Sequence, residues 1–220
     1  ALFAESGAGK TTLLRIIAGL ETSYAGEVLL DGEPVTEPSP AIQLVFQDNR
    51  LLPWQTVIGN MTFASGEDDL ARAEDLLTDF GLSKVLHQWP KDLSGGQVAR
   101  AAFARLFLRP AKVILLDEPF SNLDIPNAIR AQATLLSHVE RHSITALMAT
   151  HDVDDAVALA DRILLLGSNP LRIVDTITID LRRPRLRDDP AVSAVVGDVR
   201  RRIISSLAAP EVAAREPASC

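Results

Sequence analysis

Cysteine and long apolar stretches are what this sequence most clearly lacks. Its single cysteine, Cys220, excludes an internal disulfide and a cysteine-held metal cluster, and it fits a reducing compartment. No uninterrupted apolar stretch reaches the roughly 20 residues that a membrane-spanning helix needs. We therefore expect a chain that does not itself cross a bilayer.

Positive charge is also scarce. The 220 residues include 22 lysines and arginines against 29 aspartates and glutamates, which gives a net charge of −7. This balance argues against a nucleic-acid partner. Arginines do cluster in residues 182–187 and 200–202, and both clusters predict a solvated surface. With 47% hydrophobic and 23% charged residues, the composition is that of an ordinary globular domain.

Short apolar segments alternate with amphipathic segments along the chain, which is typical of an α/β domain with a mostly parallel sheet. A helix is predicted from the glycine turn before Lys10 to Ala18, where Gly19 stops it. We expect residues 208–220 to form a disordered tail. Strands are predicted at residues 1–4, 26–32, 41–46, 113–116, 144–149, 162–166 and 173–181.

Three further helices are predicted at residues 67–80, 152–160 and 190–207. In the first of them, one helical face carries Leu70, Ala73, Leu77 and Phe80, and Gly81 is a natural end. A fifth helix is predicted from an apolar face that we expect to pack on the strand at residues 113–116. Its members are Ile129, Ala133 and Leu136.

The first candidate site is SGAGKTT at residues 6–12, between a predicted strand and a helix. Backbone N–H groups in such a turn form a concave anion site at the positive end of the helix dipole. Lys10 can reach the β- and γ-phosphates of a nucleotide, and the Thr11 hydroxyl can bind Mg²⁺. The alternative is a merely flexible turn, but lysine followed by two threonines favours phosphate binding.

One position departs from the full phosphate-loop pattern, which has glycine where this chain has Ala4. A methyl group there would crowd the loop if the residue had a positive φ. We therefore expect nucleotide binding to be weakened rather than abolished.

The second candidate site is VILLDEP at residues 113–119, where an apolar strand delivers two acids to the carboxyl edge of the sheet. Asp117 is suited to holding Mg²⁺, and Glu118 to acting as a base toward a water that attacks the γ-phosphate. The alternative is a pair of acids that only cap a loop.

The third candidate site is LSGGQ at residues 93–97, which leads into a helix. Two glycines after a serine expose N–H groups at a helix start, which makes another anion site. One domain hardly needs two such sites for one nucleotide, so a second copy could receive this one across a two-fold axis. The alternative is a capping serine followed by a glycine turn.

Together with Gln47, SNLD at residues 121–124 and HD at 151–152, these motifs follow the order found in the ABC ATPase family, which the sequence resembles over nearly its whole length. The resemblance implies the P-loop NTPase fold of the ABC ATPase type, with a mostly parallel core sheet, a helical subdomain and an incomplete N-terminal β region. It implies one nucleotide-binding domain over residues 1–207, with the helical and signature subdomain at about 48–110. The family's adenine-stacking aromatic residue precedes the phosphate loop, so Tyr24 does not match it.

The resemblance also assigns roles to matching residues. Gln47 would touch Mg²⁺ and the attacking water, His151 would hydrogen-bond the γ-phosphate, and Asp124 would couple two sites across a dimer. The catalytic residues would be Glu118, His151 and Gln47. The nucleotide-binding residues would be Ser6, Gly7, Ala8, Gly9, Lys10, Thr11, Thr12, Ser94, Gly95, Gly96, Gln97 and Asp124. The Mg²⁺ ligands would be Thr11, Gln47 and Asp117.

A narrower resemblance concerns FQDNRLLPW at residues 46–54, with Thr56, Val57 and Asn60, and also NPLRIV at 169–174 and DLRRP at 180–184. These segments are similar to ATPases of bacterial importers for nitrate, sulfonates, taurine and related solutes. In that branch the first segment lines the groove that receives a coupling helix of the membrane subunit, which suits exposed apolar residues. The alternative is that Leu51, Leu52 and Trp54 are simply core.

The function implied is an ATP-binding and ATP-hydrolysing subunit at the cytoplasmic side of the inner membrane. Its partners would be a second copy, a transmembrane permease and, indirectly, a solute-binding protein. One alternative is a catalytically impaired nucleotide-sensing or assembly subunit, which Ala4 would favour. Another is a non-transport ABC ATPase. The DNA-repair type needs a long coiled-coil insertion, whereas only 46 residues separate Gln47 from Ser94, and the ribosomal type needs two cassettes.

Overall fold

The computed structural model describes residues 1–48, 51–63, 69–167 and 171–208. Its strands are β1 (Leu2–Phe3), β2 (Leu29–Leu30), β3 (Glu33–Pro34), β4 (Ile42–Val45), β5 (Val113–Asp117), β6 (Thr145–Thr150), β7 (Arg162–Gly167) and β8 (Arg172–Thr178). Its helices are α1 (Lys10–Ile17), α2 (Val57–Thr62), α3 (Leu70–Asp79), α4 (Gly95–Leu106), α5 (Ile125–Arg141), α6 (Val153–Leu159) and α7 (Pro190–Ala208). A 3-10 turn covers Pro90–Asp92. Of the tail predicted at 208–220, Ala208 is the last residue of α7 and residues 209–220 lie outside the described residues.

Six strands form one sheet in the order β4-β5-β6-β1-β7-β8, while β2 and β3 form a separate antiparallel pair. The five strands from β4 to β7 run parallel, and β8 is antiparallel to β7. Leu2 of the central strand pairs with Ala149 on one side and Leu164 on the other. Parallel strands end at the same edge, so the loops after β1, β4, β5 and β6 meet there.

The burial of apolar side chains in β5, α1 and α3 agrees with most of the pattern predicted for these elements. Strand β5 is buried, and α1 inserts the fully buried Leu14 beneath the phosphate loop. In α3 the predicted residues Ala73, Leu77 and Phe80 are buried, whereas Leu70 is exposed. Gly81 follows with a φ of 69°, the left-handed conformation that ends a helix.

The predicted buried face of α5 is wrong. Ile129 is 43% exposed, and Ala133 is exposed as well. The buried residues of α5 are Ala128, Ala131, Gln132, Leu135 and His138. The observed face through Ala128, Gln132 and Leu135 is thus offset by one residue from the predicted face through Ile129, Ala133 and Leu136.

The prediction of a solvated arginine surface at residues 182–187 is wrong at Arg185, which is 8% exposed, whereas Arg182 is exposed as predicted. Its guanidinium group donates hydrogen bonds to the carbonyls of Val157 and Ala160 at 2.7 and 2.6 Å, and also to those of Ile179 and Leu181. The carbonyls at the end of α6 need donors, and Arg185 supplies them. Across the described residues, no helix is both long and apolar enough to cross a membrane.

Candidate active site

The phosphate loop connects β1 to α1. Gly7 and Gly9 have φ values of 80° and 100°, which a residue with a side chain rarely adopts. Gly9 is the N-cap of α1, so the free N–H groups of the first turn face the loop. Lys10 is buried, and its Nζ donates to the carbonyls of Ala4 at 2.8 Å and Glu5 at 3.0 Å. The loop therefore combines a lysine cation, which two backbone carbonyls accept from, with the N–H donors at the start of α1, an arrangement suited to phosphate.

Ala4 does not have the positive φ that would make its methyl group crowd the loop. The described non-glycine residues with positive φ are Asp31, Glu118 and Ser143. Ala4 is 3% exposed and packs in the same apolar cluster as Leu14. The expected reason for weakened binding is therefore absent at this position.

A cluster of oxygen atoms lies beside the loop. Thr11 Oγ1 donates to Asp117 Oδ2 at 2.7 Å, and Asp117 is 4% exposed at the end of β5. Among the described residues, no group of three or more His, Cys, Asp and Glu side chains could hold a metal unaided. A hydroxyl and one carboxylate fit Mg²⁺, which completes its shell with phosphate oxygens and water.

Glu118 lies at the centre of the site. Its Oε1 is 3.1 Å from His151 Nδ1 and 3.7 Å from Lys10 Nζ, and its Oε2 accepts a hydrogen bond from Gln47 Nε2 at 3.3 Å. The side chain is 13% exposed, whereas that of His151 is 55% exposed. The structure thus brings together residues from the loops after β1, β4, β5 and β6.

The backbone of Glu118 explains where this carboxylate points. Its φ is 44°, a left-handed conformation that costs energy for a residue other than glycine. Its N–H donates to the Ala149 carbonyl at 2.9 Å, and its own carbonyl accepts from Ser121 Oγ at 2.9 Å. These bonds hold the turn that directs the side chain toward Gln47 and His151.

Ser121 and Asn122 support the site, although the sequence motifs predicted no separate binding or catalytic role for them. Besides the Ser121 hydrogen bond to Glu118, Asn122 Nδ2 donates to the Gln47 carbonyl at 3.4 Å. The only signal in the sequence was their place within the SNLD motif.

The remaining predicted residues form a second group. Ser94 caps α4 through a capping box with Gln97, and Asp124 caps α5 by accepting from Asn127 N at 2.9 Å. A Cβ placed on Gly96 would lie 2.8 Å from Asn127 Cγ, so the starts of α4 and α5 touch. The hydrogen bonds of Ser94 and Asp124 stay at their own helix ends, while Lys10 and Glu118 are joined to each other.

A phosphate loop on the central strand, with an adjoining acid pair, histidine and glutamine, defines a P-loop nucleoside-triphosphate hydrolase. The family model described as "ABC transporter" matches residues 1–121. The aliphatic sulfonates import ATP-binding protein SsuB 2 of Burkholderia cenocepacia is 46% identical over 195 residues, 86% of this chain and 71% of that protein. The protein called SsuB 1 in Xanthomonas axonopodis pv. citri is 42% identical over 213 residues, 94% of this chain and 84% of that protein.

A solved structure agrees. The ATP-binding cassette MJ0796, captured as a dimer in a post-hydrolysis state with ADP and Pi, matches with a TM-score of 0.72 and 27% identity. The match covers 82% of this chain and 85% of that one. The chain belongs to the ABC transporter family, and it is an ATP-binding subunit with ATPase activity.

Proposed function

We propose that this chain hydrolyses ATP to power a bacterial importer of a sulfonate or a similar small solute, such as nitrate or taurine. The observation that carries the ATPase mechanism is the convergence of Lys10, Gln47 and His151 on the Glu118 carboxylate. The solute class follows from relatives named as aliphatic sulfonate import proteins. An impaired nucleotide-sensing subunit is disfavoured because each of these side chains is present.

In the proposed mechanism, the loop residues 6–12 bind the phosphates and Lys10 exchanges its backbone carbonyls for phosphate oxygens. Glu118 accepts the proton of the attacking water, while Gln47 and His151 fix its carboxylate and orient the water. Thr11, Asp117 and Gln47 would hold Mg²⁺, which neutralises charge on the phosphates when bound. The low exposure of Glu118 strengthens these electrostatic interactions.

We further propose that two copies of the chain complete each other's sites. Helix α4 begins with N–H groups and a serine, and the side-chain hydrogen bonds of Ser94 stay within its own helix start. A second copy would present them to the γ-phosphate, with Asp124 joining the two sites. The donated group consists of Ser94, Gly95, Gly96, Gln97 and Asp124.

The proposed contact with a permease lies at the end of the Gln47 segment, at the inner face of the membrane. Trp54 and Phe63 are 62% and 61% exposed, so Trp54 is not core as the alternative required. The buried Asn60 braces the loop: it accepts from Leu52 N at 2.6 Å and donates to carbonyls of the same loop. A braced loop that exposes aromatic residues suits a protein contact. Asn49, Arg50 and residues 169–170 of the quoted motifs lie outside the described residues.

For its organisation, we propose a single nucleotide-binding domain at residues 1–207, with the helical and signature subdomain at about 48–110. The support is that the described elements between β4 and β5 are all helical or turns. A solute-binding protein would contact the permease rather than this chain.

The replacement Glu118→Gln tests the ATPase mechanism. We expect it to keep ATP binding, to lower kcat by about 10²–10⁴-fold because the base is removed, and to accumulate an ATP-bound dimer. Turnover and light-scattering mass with ATP are the measurements, and Glu74→Gln on the exposed side of α3 is the control. Hydrolysis at the parent rate would show that Glu118 is not the base.

The solute class is tested separately, by reconstituting the chain with its permease and binding protein. We expect an alkanesulfonate to stimulate ATP hydrolysis. Stimulation by nitrate alone would move the assignment to another solute, and no stimulation by any of these anions would contradict the importer proposal.

A further inference from the structure

A buried polar cluster on α6 lies next to the active site and takes no part in the mechanism above. Asp155, in the first turn of α6, is 7% exposed, and Gln132 of α5 is 6% exposed. Asp155 Oδ1 accepts from Gln132 Nε2 at 2.7 Å and from Arg187 Nη2 at 2.6 Å. Two donors from separate segments therefore converge on one carboxylate oxygen.

The cluster is connected to His151 through a short piece of backbone. Only Asp152 separates His151 from α6, and its carboxylate caps that helix by accepting from the N–H groups of Asp154 and Asp155. The His151 side chain is more than half exposed, so packing around it cannot hold it in place. Its position therefore depends on the contact with Glu118 and on the backbone between β6 and α6, so the orientation of α6 contributes to it.

Helix α6 cannot set its own orientation. It has seven residues, fewer than an isolated helix needs to be stable, so contacts with the rest of the protein hold it. Arg185 binds carbonyls at its C-terminal end, and Arg187 binds Asp155 at its N-terminal end. The segment at residues 182–187, which was predicted to be a solvated surface, therefore contacts both ends of α6.

A buried carboxylate at this point is costly. Burial, and secondly the charge of Asp152, raise the pKa of Asp155 to about 6, against the opposing effects of Gln132 and Arg187. An apolar side chain would fill the site more cheaply, so the ion pair favours a role in positioning. A cavity of about 190 Å³ is lined by Arg187, Asp155, His151 and Glu118, so the cluster and the catalytic carboxylate border the same space.

We propose that Arg187, Asp155 and Gln132 are positioning residues that hold the start of α6 and thereby keep His151 against Glu118. We assign them an effect through His151 rather than a contact with the nucleotide. Their action passes through the backbone of residues 151–155, which carries the histidine. The inference rests on the proposed role of His151 in hydrolysis.

The test uses the 220-residue chain with Arg187→Ala, Arg187→Lys and Asp155→Asn. We expect Arg187→Ala to lower kcat by about tenfold or more while KM for ATP stays within about twofold, because the phosphate loop is untouched. Arg187→Lys should recover part of the loss. Arg200→Ala is the matched control, since Arg200 binds Asp154 at 2.7 Å on the same helical turn but is 58% exposed. It should leave kcat unchanged.

A second readout follows His151 itself. The chain has four histidines, so the His151 side-chain NMR signal can be assigned with His151→Gln. We expect Arg187→Ala and Asp155→Asn to shift or broaden that signal, and Arg200→Ala to leave it in place. An unchanged signal in both cluster variants would overturn the inference, whatever their stability. If His151→Ala itself hydrolyses ATP normally, the proposed catalytic role fails instead.

Discussion

Glu118 shows how much of this site depends on a single backbone angle. With an extended φ, the residue after Asp117 would continue the line of β5 and leave Gln47 and His151 without a shared acceptor. The left-handed φ of 44° is held by the hydrogen bonds to Ala149 and from Ser121. The energetic cost of that conformation is offset by its effect on catalysis, because the carboxylate is already held in the position where it acts.

Asp155 provides a pH prediction at the same scale. Since its folded pKa of about 6 exceeds the ordinary aspartate value of 3.8, its contribution to stability is full below about pH 4 and is lost as pH rises through 6. Asparagine has no such loss. Relative to the parent, Asp155→Asn should therefore gain about 2 kcal/mol of unfolding free energy between pH 4.5 and 7.5. Urea titrations at both pH values measure it, and an unchanged difference would contradict the raised pKa.

Residue types and spacing predicted Lys10 and Asp117 as site residues, and the family resemblance added Gln47 and His151. Asp117 ends β5 and His151 follows β6, and parallel strands end together. The φ of Glu118 and the burial of Asp155 and Arg185 were not predictable, because each depends on contacts between segments far apart in the sequence. Charge alone made Arg185 look like a surface residue.

At the scale of elements, the strands were easier to predict than the faces of the helices. Strand β5 is an apolar run in a parallel sheet, so no choice of face was needed. Helix α5 has apolar residues on several sides, and its buried face includes Leu135 and the polar Gln132 and His138 rather than Ile129. When apolar residues lie on more than one side of a helix, the sequence alone leaves the rotation of the helix open.

Helix α4 makes a prediction that separates structure from catalysis. Ser94 Oγ accepts from Gln97 N at 3.3 Å, and Gln97 Oε1 accepts from Ser94 N at 2.8 Å. Ser94→Ala should cost about 1 kcal/mol of unfolding free energy through the lost cap. It should also lower kcat, because the serine would contact the γ-phosphate in a dimer.

Thr56→Ala is the control for this prediction. Thr56 caps α2 in the same way, accepting from Gly59 N at 3.2 Å, but lies at the proposed permease contact instead of the signature loop. In the purified chain it should lose similar stability without losing turnover. Equal loss of turnover in both variants would leave Ser94 with a capping role only.

At the scale of the whole molecule, the separation of the two predicted groups of site residues has a measurable consequence. Lys10→Ala disables the phosphate loop of a chain. Ser94→Arg blocks the start of α4, which the same chain would present to the nucleotide of its partner. Each variant alone should be inactive. A mixture should recover activity, because a mixed dimer contains one site with an intact Lys10 and an intact Ser94.

The measurement is ATP turnover across a series of mixing ratios at fixed total concentration. A maximum near equal amounts is expected, and the unmixed variants are the internal controls. Turnover that never exceeds that of the two variants alone would mean that each chain uses its own α4.

The exposure of His151 has a consequence for how fast an unassembled subunit would hydrolyse ATP in a cell. In a single chain the imidazole is open to solvent on one side, and bulk water competes with the geometry that the other residues impose. A free subunit would therefore hydrolyse ATP slowly, even when saturated with nucleotide. Subunits present in excess of their partners would hydrolyse little ATP. The rate of hydrolysis would rise only where a second protein covers the site.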